Sequence, residues 1–100
     1  MKTAYEVLKG AIEHEEPNRY ISDMVIMSIQ GHALRNNDTV RVDLSVWIYH
    51  GDAPSNGVSA VCDYISDLED FLNTPCGGYT FDIRDRGDHI GLIFDLKRCE

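Results

Sequence analysis

The sequence predicts an α+β fold of the order αββαββ: a two-layer sandwich in which one four-stranded antiparallel sheet carries two helices on one face. Three observations point there. Two segments repeat apolar residues at helical spacing, four others alternate branched or aromatic residues with polar ones, and a turn cluster sits between the members of each alternating pair. One hundred residues suit a single domain, 1–100, because a chain this short buries roughly two thirds of its unfolded surface in one core and leaves little for a deep pocket. With 43% hydrophobic residues spread along its length, the chain has the apolar area that a disordered acidic tail lacks.

Thr3-Ala4-Tyr5-Glu6 has capping-box spacing, and Ala4, Val7, Leu8, Ala11 and Ile12 then share a helical face, so a first helix is expected from about Ala4 to about Glu15, with Pro17 ending it. Asp52-Ala53-Pro54-Ser55-Asn56-Gly57 is a turn and cap cluster. After it, Val58, Val61, Cys62, Ile65, Leu68 and Leu72 repeat at helical spacing up to Asn73, which predicts the second helix. With Asn36-Asn37 as the tip of a first hairpin, Val25, Met27 and Ile29 lie opposite Ile48, Val46 and Leu44 and face inward. The outward set is then Met24, Ile26, Ser28 and Gln30 against Tyr49, Trp47, Ser45 and Asp43. With Arg86-Gly87 as the second tip, Tyr79, Phe81 and Ile83 face Phe94, Leu92 and Ile90 inward. Two sheet orders satisfy this pattern: the hairpins joined edge to edge, or a βαββαβ ferredoxin-like unit whose first strand has moved to the chain end and lies centrally. No internal sequence repeat, linker or low-complexity stretch is visible.

The formal charge is −8, and it is concentrated. Between Val42 and Ile83 stand Asp43, Asp52, Asp63, Asp67, Glu69, Asp70 and Asp82, without one Lys or Arg. Such a field repels phosphate backbones and anionic lipid heads, so neither direct nucleic-acid binding nor membrane binding is expected; it attracts a cationic surface, which in cells usually means another protein's nucleic-acid groove. No apolar leader follows Met1 and no apolar run reaches the roughly 18 residues of a bilayer span, which reads as a cytoplasmic chain. Three cysteines without Cys-x-x-Cys spacing suggest neither a disulfide framework nor zinc; Cys62 fits the apolar stripe of the second helix, and Cys76 and Cys99 read as plain thiols.

Two candidate partner-binding surfaces emerge. Asp63, Asp67 and Asp70 recur at i, i+4 and i+7 opposite the apolar stripe, with Glu69 beside them, making a carboxylate ridge whose charges repel one another and oppose the helix dipole. Its charge spacing is on the order of that of phosphates along a strand. The second surface is outward Met24, Ile26, Trp47 and Tyr49 near Asp43 and Asp52, a hydrophobic centre with an acidic rim.

Catalytic and metal signals are weak. His50 with Asp52 and His32 with Asp43 are the closest plausible pairs for acid–base or metal chemistry, but no metal-ligand spacing accompanies them, so no metal, cofactor or catalytic residue is expected. Pro75-Cys76-Gly77-Gly78 reads as a flexible turn on which a thiol nucleophile would be exposed, without a signature for an oxyanion hole.

In size, charge and lack of catalytic motifs the chain resembles small phage-encoded inhibitors of host defence, such as anti-CRISPR proteins, and the immunity proteins that neutralise nuclease toxins. That resemblance is compositional and implies an inhibitor that docks on the basic groove of a partner and keeps nucleic acid out. The alternatives are a phage structural or assembly subunit using the aromatic sheet face or a free strand edge, with a homodimer left open, and, more remotely, a small cysteine-dependent enzyme.

Overall fold

The first helix, α1 (Ala4–His14), begins where the capping residues place it. Thr3 Oγ1 accepts from the Glu6 N–H at 3.3 Å, and Ala4, Leu8, Ala11 and Ile12 are buried on its inner face. In the computed structural model, which describes residues 1–99, Pro17 does more than stop α1. It occupies the first turn of a short helix α2 (Glu16–Ile21), where its missing N–H has no intrahelical acceptor to lose, and α2 delivers Ile21 to the core. This helix was not legible from the spacing of apolar residues, because six residues hold too few of them to define a period.

Strands β1 (Ile26–Arg35), β2 (Thr39–Ile48), β3 (Cys76–Asp85) and β4 (Ile90–Arg98) form one antiparallel sheet in the order β1-β2-β4-β3, with helix α3 (Gly57–Asp67) between the two hairpins in sequence. The two hairpins join edge to edge through β2 and β4, and this same order places the last strand centrally, so both expected arrangements describe it. The helices share one face: α1 packs on β3 and β4, α3 on β1. Between the layers, Val40, Val42, Leu44 and Val46 of β2 and Leu92, Phe94 and Leu96 of β4 are fully buried.

Both hairpin loops are longer than the expected two-residue tips. Arg35 pairs with Val40 and Asp85 with Ile90, leaving four-residue loops closed by Asn36 N–H to Thr39 O at 2.8 Å and Arg86 N–H to His89 O at 3.0 Å. A two-residue hairpin turn of the common kind needs positive φ at both central residues. Here Gly87 alone has it (φ 92°), and neither asparagine does. The longer loops slide each register by two residues, which preserves the faces: Ile29 meets Val46 and Phe81 meets Phe94. Parity then breaks at a bulge between Ile26 and Ser28. Ile26, expected outside, is in the core at 8% exposure, while Met27, expected inside, is 69% exposed.

The two αββ halves follow one plan. β1 and β3 start fifty positions apart at Ile26 and Cys76, have identical burial along their lengths, and each carries a bulge near its start. Asp43 lies opposite Ile93, so the pair of residues fifty apart marks a pseudo-twofold through the centre of the sheet. The helix starts are tied crosswise: the Ala4 N–H donates to Thr74 O at 2.7 Å and the Asn56 N–H to Met24 O at 3.1 Å, each to the segment leading into the other half's sheet. Between residues 26–48 and 76–98 the sole identical pair is Asp38 and Asp88, so the repeat lives in burial pattern and not in residue identity.

Candidate protein-binding surfaces

The carboxylate ridge is exposed but not wholly helical. Asp63 and Asp67 lie one turn apart on α3; the helix then ends, and Glu69 and Asp70 sit in the turns that carry the chain to Leu72. The expected helix to Asn73 is thus corrected to an end at Asp67. Two causes are at hand. No basic residue stands in the last turn of α3 to offset its C-terminal dipole, and Leu72, fully buried, is reached by turning inward.

The early stop gathers acids that helical spacing would have kept in line. Glu69 and Asp70 line a depression of about 400 Å³ with Thr3, Tyr5, Glu6 and Asn73, at the start of α1. Glu6 joins the acidic surface here; in the sequence its capping-box position accounted for it fully, and nothing signalled a second role. The Tyr5 hydroxyl meets Ser66 Oγ at 3.2 Å and holds the two helices together beside the depression. Among the described residues, Asp63, Asp67, Glu69 and Asp70 form no ion pair, whereas Asp82 and Asp95 are paired with Arg84 and Arg41.

The aromatic patch does not assemble. Ile26 faces the core, Met24 is half-buried against it, and Asp52 is exposed on the loop beyond β2. Tyr49 is exposed on its own. Trp47 does face outward, but its ring stacks on His89 with centroids 4.9 Å apart and planes at 29°. His89 Nδ1 lies 2.6 Å from Asp88 Oδ1, and this hydrogen bond holds the Asp88 carboxyl below its usual range. Asp43, half-buried on the same face, lies opposite His32 and Ile93. The bulge at Met27 is what removes the expected centre from this surface.

Cys62 and Cys76 are poorly placed for nucleophilic chemistry. Cys76 is the first residue of β3 and 3% exposed, not part of an open turn, and burial pushes its thiol pKa up. Cys62, half-buried as its stripe position implied, is pushed up by burial and by Glu13, whose Oε1 is 3.9 Å from its Sγ. Both shifts disfavour the thiolate. Among the described residues no three His, Cys, Asp or Glu side chains converge in a way that would hold a metal ion. No helix among them is long and apolar enough to cross a membrane.

No protein-family model, curated protein or solved structure matches this chain. Its functional reading therefore rests on its own geometry.

Proposed function

We propose that this protein is a cytoplasmic, non-catalytic binding protein that recognises a basic surface on a nucleic-acid-binding partner and occludes it, in the manner of anti-CRISPR proteins or nuclease immunity proteins. One observation supports this above the others: Asp63, Asp67, Glu69 and Asp70, with Glu6 at the adjoining depression, form an exposed acidic surface in which none of the four ridge carboxylates is neutralised by an ion pair among the described residues. Uncompensated charge of this kind steers a cationic partner and sets its register on arrival. The sheet's outer face is less suited, because Arg41–Asp95 and Arg84–Asp82 pair four of its charges, it carries Arg86 beside Asp43, and Trp47 is covered on one side by His89.

Affinity capture from the cells that make the protein tests the reading. At moderate salt the bait should retain a nucleic-acid-binding protein, and the triple variant Asp63→Asn, Asp67→Asn, Asp70→Asn should lose it. Retention of the same protein by both baits would end the proposal.

A second reading, assembly, is favoured by the β1 edge. From Ile26 to Leu34 this edge strand has no Asp, Glu, Lys or Arg, and Met27 and Leu34 are exposed on it, whereas the β3 edge carries Asp82, Arg84 and Asp85. Natural edges usually carry charge to prevent pairing with another chain. Assembly through β1 should give salt-insensitive dimers in sedimentation, abolished by Gln30→Lys.

A further inference from the structure

We propose that a groove at the second-hairpin end of the sheet binds an arginine side chain presented by a partner protein. The groove has a volume of about 400 Å³ and is lined by Ile48, Ile83 and Ile90 with Asp85, Asp88 and His50 at its rim. Ile48, Ile83 and Ile90 lie on the helix-side face of the sheet, in line with buried Val46 and Leu92, yet each is only partly buried. An apolar floor with carboxylates at its edge matches an arginine, whose methylenes bury on apolar surface while its planar guanidinium spans carboxylate oxygens.

The pseudo-twofold identifies the occupant. In the other half the position of Ile48 is taken by Arg98, fifty residues on. The Arg98 N–H donates to Asp38 O at 2.9 Å, and its guanidinium donates to the backbone carbonyl of Asn36 in the first hairpin loop. That end, lined by Lys97 and Arg98, supplies cations of its own. The second-hairpin groove has no Lys or Arg in its lining, only His50 and the His89 that Asp88 holds. Arg86, in the same hairpin loop, is laid over Gly91 and reaches the depression formed by Asp43, Gln30 and His32 on the outer face. Where one half places an arginine against its hairpin loop, the other presents the loop, an apolar floor and two carboxylates.

Those carboxylates are held in place. Asp85 Oδ1 accepts from the Gly87 N–H at 3.0 Å, in the turn that the positive φ of Gly87 permits, and Asp88 is anchored by His89. The ten residues of β3 separate this groove from the acidic depression beside Asn73, so it is a second site, independent of the ridge.

Blocked Gly-Arg-Gly, with Gly-Lys-Gly for comparison, is the probe, followed by amide chemical shifts of the intact protein. The arginine peptide should shift the amides of Ile48, Gly87 and Ile90, and bind at least threefold tighter than the lysine peptide. Ile48→Arg, which gives this half what the other already has, should weaken binding tenfold or more. So should Asp85→Asn with Asp88→Asn, which stands in should Ile48→Arg fail to fold. The same response in the protein neutralised at Asp63, Asp67 and Asp70 would support the groove whether or not the ridge is used. Shifts confined to residues 63–70, or unchanged affinity in folded groove variants, would overturn the proposal. Self-association abolished by Arg98→Ala would overturn it as well, since the occupant would then be a second copy of this chain.

Discussion

The two halves share a backbone plan and differ in what completes it. Phe81 of β3 is sandwiched between Tyr20 and Phe94, with centroids at 5.8 and 5.0 Å, while the residue fifty positions earlier is Gly31, whose missing side chain leaves room for Leu44. Tyr64 of α3 reaches across to donate to Gly31 O at 3.2 Å, so a helix side chain supplies bulk that the strand lacks. Arg98 crosses one hairpin loop; Ile48 leaves the other free. A shared fold therefore tolerates nearly complete divergence of side chains provided each buried position is filled from somewhere, and the places left unfilled are where binding is best sought.

The helix starts allow the sharpest break of this pairing. Ala4 and Gly57 both follow an N-cap and both are buried, but a Cβ on Gly57 would run into the carbonyl oxygen of Ile21. Gly57→Ala should destabilise the protein by about 3 kcal/mol in urea titrations, because the obstacle is backbone, against about 1 kcal/mol for Ala4→Gly. Comparable losses at both positions would mean that α2 yields readily.

The residues just before these positions are the next test. Asn56 makes no cap bond within α3; its Oδ1 instead accepts from the Ile26 N–H at 2.7 Å, and its Nδ2 donates to Ile26 O at 3.4 Å, which ties α3 to the start of β1. Asn56→Ala strips a part-buried N–H of its partner and should cost about 2 kcal/mol by the same titration. Thr3→Ala removes an ordinary cap and should cost about 1 kcal/mol.

The smallest effect lies in acid. Arg41 meets Asp95 through two bonds, Nε to Oδ1 at 2.8 Å and Nη2 to Oδ2 at 3.0 Å, and this holds the Asp95 carboxyl below its usual value. The native state thus binds fewer protons at Asp95 than the unfolded chain does. Its contribution is complete above the unfolded carboxylate range and disappears as the pH falls through the lower native value. Asp95→Asn should flatten that part of an acid denaturation curve followed by circular dichroism.

Much of the fold was legible because its signals are local. The Thr3 cap, the apolar stripe from Val58 to Ile65 and the alternation along β2 each lie within a few residues, and the structure places them as read, whereas on β4 Gly91 and Ile93, expected outside, are buried. Loop length, the Met27 bulge and the end of α3 were not, since each is decided by a conflict. Asparagines avoid positive φ at the cost of a longer loop, and Leu72 is buried only if the helix stops. The site suffered from the same limit: one bulge turned Ile26 inward and dissolved the aromatic patch, while the exposure of Asp63 and Asp67 followed from their position opposite an apolar stripe and that of Glu69 and Asp70 came from the turns after the helix. Glu6 and the groove beside Ile48 belong to tertiary structure alone.

The most direct test compares two variants of equal net charge. Asp63→Asn, Asp67→Asn, Asp70→Asn neutralises the ridge; Glu16→Gln, Asp23→Asn, Asp38→Asn removes as many carboxylates elsewhere. Binding of a twenty-residue oligolysine, titrated across a salt series, should weaken tenfold or more and lose salt dependence in the ridge variant, while the control stays within about twofold of the parent. Equal losses in both would show that total charge, and not its placement on α3 and the turn after it, is what the cationic chain feels.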